Sequence, residues 1–192
     1  MTNGIKRICV FCGSSFGKND AYREKVQELG KCLVSKDIEL VYGGGNVGLM
    51  GELARTVLEN GGRAIGVIPK KIYEKVEHVE LTKLHIVDGM HERKAKMYEL
   101  ADGFIALPGG IGTIEELSEV FTWYQLGYHK KPIGILNINN YYEMFNSFLD
   151  NMVDEGFIKE QHRNVMLIDE APDKLIEKML RHKIVSIDKW IK

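Results

Sequence analysis

Cysteine is scarce in this 192-residue sequence, which contains only three, at positions 9, 12 and 32. An odd number excludes a disulfide framework. Cys9 and Cys12 have the C-x-x-C spacing, but both fall in the first apolar run, whereas a redox pair needs its nucleophilic cysteine at a helix N-terminus. We therefore expect all three cysteines to pack as small hydrophobic side chains.

Concentrated charge and long apolar runs are also absent from the sequence. The formal net charge is −1 and no basic block stands out, which argues against nucleic acid as a partner. No apolar run approaches the roughly 20 residues that span a bilayer, and residues 1–7 lead into a strand pattern rather than a signal-peptide core. We expect no membrane partner and a cytoplasmic location. The histidines at 78, 85 and 91 fall in different segments, so no metal site is predicted.

The sequence does contain short β-rich apolar runs that alternate with segments of helical periodicity. Most of the runs are continuously apolar, which is typical of a parallel sheet covered on both faces. We predict one domain over residues 1–192, with a Rossmann-like, doubly wound α/β fold whose mostly parallel sheet of about seven strands has helices on both faces. Asp20 and Pro172 are predicted to begin helices and Gly127 to end one. The predicted strands are 7–12, 38–42, 63–68, 84–87, 104–107, 133–137 and 165–168, and the predicted helices are 21–36, 47–60, 89–101, 113–127, 141–155 and 172–182.

A glycine-rich turn spelling P-G-G-I-G-T-I-E-E occupies residues 108–116, between the run 103–107 and a helical pattern. A turn in this position lets the backbone curl around an anion and point free N–H groups at it. Glu115 and Glu116 then place carboxylates one turn into the helix. The turn therefore predicts an enzyme that acts on a phosphorylated small molecule.

Glu116 has two interpretations on the sequence alone. Thr113 and Glu116 match the capping box T-x-x-E, in which the glutamate only satisfies the amide of the N-cap residue. Alternatively, the Thr113 hydroxyl and the first-turn amides bind a phosphate, and the glutamate is left for chemistry. Glu115 and Glu116 lie about 100° apart on a helix, so they cannot point the same way.

A second glycine-rich turn, G-G-G-N-V-G-L-M-G at residues 43–51, follows the second predicted strand. Gly43, Gly45 and Gly48 satisfy the G-x-G-x-x-G fingerprint of dinucleotide-binding folds. That fingerprint belongs after the first strand, and the acidic residue expected about twenty positions later is replaced here by residues 68–71, Ile-Pro-Lys-Lys. We therefore expect no dinucleotide cofactor. Two glycine turns at the carboxyl ends of parallel strands favour one shared ligand crevice.

A third cluster, G-M-H-E-R-K-A-K-M at residues 89–97, begins the helix after the fourth predicted strand. A solvated helix start is the simplest interpretation. Cations are, however, disfavoured at a helix N-terminus, so Arg93 and Lys94 indicate an anionic partner. The planar guanidinium of Arg93 suits a phosphate or carboxylate, and Lys94 supplies a point charge.

The three clusters together resemble the Lonely Guy (LOG) family of cytokinin riboside 5′-monophosphate phosphoribohydrolases, for which "possible lysine decarboxylase" is an older name. The resemblance rests on P-G-G-x-G-T-x-x-E, on G-G-G-x-x-G-L-M-G and on M-H-E-R-K at residues 90–94. It includes the C-G-S-S segment at 12–15 and F-T-W-Y-Q-L at 121–126, and covers roughly residues 5–180. A pyridoxal-dependent decarboxylase is not expected, since Lys94 and Lys96 lie in a charged helix start.

The resemblance implies hydrolysis of the N-glycosidic bond of an adenosine 5′-monophosphate with a free or substituted N6, releasing the base and ribose 5-phosphate. It implies no metal and no cofactor. Glu116 and Arg93 would be the catalytic residues, with the glutamate stabilising positive charge on the sugar and orienting water. The substrate-binding residues would be Ser14, Gly44, Gly45, Lys94, Gly109, Gly110, Ile111, Gly112, Thr113, Glu115 and Thr122.

Several alternatives stay open at this point. The charged insertion 69–83 is either a lid or a solvated loop, and its Lys-Lys-Ile-Tyr start lacks the substrate-contacting glutamate that some LOG relatives place there. The resemblance suggests a homodimer, to which the apolar residues of helix 113–127 contribute, unless they pack within one chain. Residues 183–192 either extend the sheet or cross to a partner. A non-catalytic nucleotide carrier on the same fold is the rival function.

Overall fold

The structure of the protein is a computed structural model that describes residues 4–182. The strands are β1 (Arg7–Phe11), β2 (Glu39–Tyr42), β3 (Ala64–Pro69), β4 (Lys83–Val87), β5 (Gly103–Ala106), β6 (Ile133–Leu136) and β7 (Met166–Asp169). The helices are α1 (Asp20–Ser35), α2 (Gly48–Glu59), α3 (Lys70–Tyr73), α4 (Met90–Leu100), α5 (Ile111–Gln125), α6 (Glu143–Asp154), α7 (Glu160–Arg163) and α8 (Pro172–Arg181). A 3-10 turn, Ile138–Asn140, follows β6.

All seven strands join one sheet in the order β4-β3-β2-β1-β5-β6-β7, and every neighbouring pair is parallel. The predicted Rossmann-like α/β fold is therefore confirmed, with a sheet that is entirely rather than mostly parallel. The strand order reverses between β1 and β5. In such folds the ligand crevice opens at the carboxyl ends of the strands beside this reversal, which is where the loops after β1, β2 and β5 meet.

The apolar core has two layers, one on each face of the sheet. Ile8 and Val10 of β1 pack in the layer with α1, α2 and α8, whereas Cys9 and Phe11 pack in the layer with α4 and α5. This alternation explains why the strand runs are apolar throughout, since both faces of each central strand are buried.

The cysteines are free, and Cys9 and Cys12 are buried while Cys32 is half-buried. Burial, the largest cause, raises the pKa of both the Cys9 and the Cys12 thiols well above the usual range. The expectation that these residues pack as hydrophobic side chains is confirmed for this pair, because a thiol in such surroundings is not a redox nucleophile.

The helix ends follow local chemistry. Helix α1 begins at Asp20 as predicted, and the preceding Asn19 caps it, since its Oδ1 accepts from the amide of Ala21 at 3.0 Å. Helix α5 begins at Ile111, two residues before the predicted start, with Gly110 as its N-cap. Thr113 is therefore the third helical residue, which excludes the capping-box interpretation of Thr113 and Glu116. Pro172 begins α8 as predicted, and Gly127, at φ 80°, donates to the carbonyl of Tyr124 just beyond α5.

The charged insertion 69–83 consists of the short α3 and a loop that leads into β4. The loop contacts the second glycine turn, because the amide of Asn46 donates to the carbonyl of Glu77 at 3.2 Å. Residues 183–192, whose place in the fold the sequence left open, lie outside the described residues. Among residues 4–182, no helix is both long and apolar enough to cross a membrane.

Candidate active site

An ion pair between Arg93 and Glu116 lies at the centre of the crevice. Arg93 is in the first turns of α4 and Glu116 in the second turn of α5. The arginine Nη1 donates to the glutamate Oε1 at 2.7 Å, and the two side chains are only 11% and 12% exposed. Such a pair, largely removed from water, keeps the carboxylate and guanidinium in a defined mutual orientation.

The arginine is held in place by the neighbouring strands. Its Nε donates to the carbonyl of Val67 in β3 at 3.3 Å. Its Nη2 lies against Gly43, so close that a Cβ atom on that glycine would overlap it. The first glycine of the turn after β2 therefore leaves room for the guanidinium, and this close approach is one that only glycine permits.

Glu116 has a perturbed acidity. Burial raises the pKa of its carboxyl and is the largest cause, while the charge and the hydrogen bond of Arg93 act in the opposite direction; the pKa remains above its ordinary value. A carboxylate whose proton affinity is increased in this way is suited to accept a proton from water.

A second ion cluster lies beside the first. Lys94 Nζ donates to Glu115 Oε1 at 2.5 Å and to Glu119 Oε1 at 2.9 Å. The hydrogen bond to Glu115, followed by that to Glu119, raises the pKa of the lysine despite its partial burial. Lys94 is therefore a protonated ammonium, which lacks the lone pair that a Schiff-base lysine requires.

A cavity of about 220 Å³ opens over the Arg93–Glu116 pair. The start of α5 forms one wall, and Cβ atoms added at Gly110 or Gly112 would meet open space. The amides of Ile111 and Gly112 precede the first hydrogen bond of the helix, which Thr113 makes to the carbonyl of Gly110. Unpaired amides and the positive end of the helix dipole make this wall a site for an anion.

Most of the predicted site residues meet at this cavity. Its lining includes the pair Arg93 and Glu116 and five of the predicted substrate-binding residues, Ser14, Gly110, Gly112, Thr113 and Glu115. Gly109 lines an adjoining cavity of about 280 Å³, which shares Ser14 and Gly110 with the first.

The other predicted substrate-binding residues lie outside the lining of the cavity. Gly44, at φ 79°, packs against Val67 and Ile68 of β3, and Gly45 follows it in the turn. Ile111 is 86% exposed and is not among the residues that line the cavity. Thr122 is exposed six residues beyond Glu116 along α5, which is about 9 Å at the rise of an α-helix.

Sequence reasoning missed part of the wall. Cys12, Gly13, Met50 and Met90 also line the cavity, and Gly43 makes room for the arginine. The two methionines stand within the motifs at 43–51 and 90–94, so the motifs pointed to the right segments. A sequence motif does not specify how its helix or turn is oriented in the fold. It therefore cannot predict which of its side chains line the cavity.

The fold and the site together define a Rossmann-like α/β protein in which the open start of a helix lies beside a buried carboxylate–guanidinium pair. A family model described as "Possible lysine decarboxylase" matches residues 50–179. The chain is 49% identical over 176 residues to the cytokinin riboside 5′-monophosphate phosphoribohydrolase LOG of Oryza sativa subsp. japonica, covering 91% of this chain and 73% of that protein. An Arabidopsis thaliana phosphoribohydrolase of the same description is 46% identical over 192 residues, which cover 97% of this chain and 90% of the relative.

This chain therefore belongs to the LOG family, as its motifs indicated. Among solved structures, the molybdenum cofactor carrier protein of Chlamydomonas reinhardtii matches with a TM-score of 0.69 at 19% identity, over 92% of this chain and 98% of that one. At this identity the match shows a shared fold only.

Proposed function

We propose that this protein is a phosphoribohydrolase that cleaves the N-glycosidic bond of adenosine 5′-monophosphates with a free or substituted N6, releasing the free base and ribose 5-phosphate. The names of the relatives support the reaction class. The observation that carries the proposal is the buried Arg93–Glu116 pair beside the open start of α5, since it puts an anion site and a catalytic carboxylate in one cavity.

The 5′-phosphate binds the amides at the start of α5. Gly110 and Gly112 leave space for its oxygens, and Thr113 adds a buried hydroxyl. The phosphate is remote from the bond that breaks, so its binding energy serves to position the sugar against the catalytic pair.

Bond cleavage gives the sugar oxocarbenium character, and the carboxylate of Glu116 stabilises the developing positive charge at C1′. The same carboxylate accepts the proton of the attacking water, for which its raised pKa suits it. Arg93 holds that carboxylate in register through its 2.7 Å hydrogen bond and contacts the ribose. The base leaves with the electron pair of the broken bond and takes up a proton from solvent, the hydroxyl of the water bonds to C1′, and Glu116 returns the water's proton to solvent, so that one water is consumed for each bond cleaved.

Lys94, Glu115 and Thr122 bind the rest of the substrate in this proposal. Lys94 and Glu115 are joined at 2.5 Å beside the cavity, so an arriving ligand exchanges with one partner of an existing ion pair. Gly44 and Gly45 act indirectly. They shape the turn in which Gly43 leaves space for the guanidinium of Arg93.

The state of assembly is part of the proposal. We propose one hydrolase domain and a homodimer, as the family resemblance suggests. Phe121 and Tyr124 are buried within the chain, and the ring of Trp123 lies edge-on to that of Tyr98. Of the four apolar residues that suggested a partner surface, only Leu126, at the end of α5, is more than a third exposed. Light scattering of the purified protein measures the mass of the assembly directly.

The cytoplasmic location stays a prediction.

Substitution of Glu116 by glutamine tests the reaction. Glutamine keeps the shape and can still accept from Arg93, but it cannot accept the proton of water. We expect Glu116→Gln to lose turnover of AMP and of isopentenyladenosine monophosphate by at least about a thousandfold, followed as free base and ribose 5-phosphate by chromatography, and to retain nucleotide binding.

The matched control is Glu99→Gln, since Glu99 is a 66% exposed glutamate paired with Lys96 on the surface of α4. It should hydrolyse both nucleotides like the wild type. Full activity of Glu116→Gln would show that Glu116 is not the catalytic carboxylate. Nucleotide binding without turnover in the wild-type protein would favour the carrier function instead.

A further inference from the structure

The carbonyl groups of residues 107–109 each accept a hydrogen bond from a donor outside the turn that holds the proposed phosphate site. This matters because a site made of backbone amides attracts an anion only if the neighbouring carbonyl oxygens, which repel it, face elsewhere. A free glycine-rich segment has no preference between the two orientations. Something outside the loop must therefore fix the direction of its peptide groups.

Three hydrogen bonds fix these carbonyls. Tyr142 Oη donates to the carbonyl of Leu107 at 2.5 Å, and Tyr141 Oη donates to that of Gly109 at 2.5 Å. Between them, the amide of Gly13 donates to the carbonyl of Pro108 at 3.0 Å. Three successive carbonyls are thus each bound by a donor from another segment of the chain.

Two of the three donors are adjacent tyrosines from the connection between β6 and α6. Asn139 and Asn140 adopt left-handed φ angles of 50° and 57° there, a conformation that asparagine tolerates better than most residues. The amide of Tyr142 donates to Asn137 Oδ1 at 2.8 Å. This irregular turn places both phenols against the loop at residues 107–110, here called the phosphate loop. The contact gives a physical reason for the left-handed backbone of the turn.

The tyrosine rings are themselves held by packing. Tyr142 is 1% exposed, and its ring lies edge-on to Tyr141 with centroids 5.1 Å apart. Tyr141 is 44% exposed and also lies edge-on to Tyr22 of α1 at 5.8 Å. Tyr141 can therefore lose its hydroxyl while its ring stays in place, which makes it the better residue to test.

We infer that Tyr141 is a positioning residue for the 5′-phosphate: by binding the carbonyl of Gly109, it fixes the peptide group whose opposite side carries the amide of Gly110, the N-cap of α5. The carbonyl of Leu107 precedes Pro108, whose nitrogen carries no hydrogen, so Tyr142 fixes the backbone there without orienting an amide. The inference rests on the proposed binding of the phosphate at this loop, and it goes further by assigning a role to the connection 137–142.

Tyr141→Phe tests this role by direct binding, without reliance on hydrolysis. Loss of one such hydrogen bond should weaken the affinity for ribose 5-phosphate and for inorganic phosphate about three- to tenfold, measured by calorimetry. The affinity for adenosine, which has no phosphate, should stay the same. A general distortion of the site would weaken both kinds of ligand, so this difference separates positioning from damage.

Tyr128→Phe is the matched control, because Tyr128 is 74% exposed and lines a different cavity, together with Tyr98 and Lys131. An unchanged phosphate affinity in Tyr141→Phe, an equal loss for adenosine, or a wild-type protein that binds neither phosphate ligand would each overturn the inference. Failure of AMP hydrolysis with intact phosphate binding would refute only the proposed function.

Discussion

Gly43 constrains the position of Arg93, the proposed catalytic arginine. The guanidinium of Arg93 occupies the space that a side chain at this position would need, and Met50 Sδ lies 3.3 Å from the same point. A shift of the guanidinium away from a side chain at position 43 would disturb its hydrogen bonds to Val67 and Glu116. We therefore expect activity to need the absence of a side chain at position 43 as well as the positive charge at position 93.

We predict that Gly43→Ala lowers kcat/KM for AMP about a hundredfold, the loss typical of a misplacement of about 1 Å in a catalytic group. Steady-state kinetics would measure it, with thermal unfolding to verify the fold. Gly89→Ala is the control, since Gly89 precedes the same helix as Arg93 and an added Cβ would meet nothing there. Equal activity of Gly43→Ala and wild type would show that the arginine has room to move.

The acidity of Glu116 gives a pH prediction. Because burial raises its pKa above the ordinary value, and because the ionised form is the base, kcat/KM should fall as pH decreases through a value higher than that of an exposed glutamate. The substrate phosphate also titrates in this range, with a second pKa of about 6, so the wild-type profile alone is ambiguous.

Glu115→Gln resolves that ambiguity. The charge of Glu115 is among the causes that raise the pKa of Glu116, so its removal should move the acid limb of the profile to lower pH, while the titration of the substrate stays the same. A profile that does not move would assign the limb to the substrate.

Helices α1 and α2 are joined by a network around Glu52, which also reaches the second glycine turn. Glu52 is 5% exposed and accepts from Arg23 at 3.1 Å and from Arg55 at 3.0 Å, and Gln27 donates to it from α1. Arg55 in turn contacts Asn46 of the glycine turn. The network around Glu52 therefore holds the glycine turn in which Gly43 leaves space for Arg93.

We predict that Glu52→Gln lowers the free energy of unfolding at pH 7 by about 1.5 kcal/mol. Burial acts to raise the pKa of Glu52, but hydrogen bonds from Arg23, Gln27 and Arg55 outweigh it and lower the pKa. A lowered folded-state pKa means that the stabilisation is present above the unfolded value and is lost as pH falls through the folded one.

Urea unfolding at pH 7 and at successively lower pH measures this difference between wild type and Glu52→Gln, which should shrink toward acid pH. Glu28→Gln is the control, because Glu28 is 52% exposed in a surface pair with Lys25, and such pairs contribute little. A difference that is the same at every pH would mean that packing, rather than charge, is lost.

The long elements were predictable from the sequence and the short ones were not. The periodic segments placed all seven strands and the six long helices within about two residues, because each buries a continuous apolar pattern. The four-residue helices α3 and α7 and the 3-10 turn at Ile138–Asn140 were missed, since a single turn has too few residues to show a period. The start of α5 was misplaced because its first amides face the crevice and Gly110 supplies no side-chain cap.

The site was predictable by segment and not by contact. Motif spelling located the turns at 43–51 and 108–116 and the pair Arg93 and Glu116, but the 2.7 Å bond between them depends on the strand order. The cradle for Arg93 at Gly43 and the tyrosines at 141 and 142 are tertiary contacts between segments far apart in the chain. A pattern within one segment contains no information on such contacts.

The whole molecule should be stabilised by its phosphorylated product. Ribose 5-phosphate at about a hundred times its Kd should contribute about 2.7 kcal/mol to the folded state, which for a chain of 192 residues raises Tm by about 5–10 °C. Scanning calorimetry measures the shift, and ribose without phosphate is the control. Equal shifts with both sugars would show that the start of α5 does not bind the phosphate.

The bonds that hold the phosphate loop join the end of β1, the end of β5 and the connection after β6. During synthesis on the ribosome these segments emerge one after another, and the tyrosines come last. A nascent chain that has exposed the glycine turns, Arg93 and Glu116 but not yet Tyr142 carries every group that the proposed chemistry uses. It has the donor at Gly13 but still lacks the two phenols, so on the inferred role of Tyr141 we expect the loop to reach its final orientation only after residues 141 and 142 have left the exit tunnel.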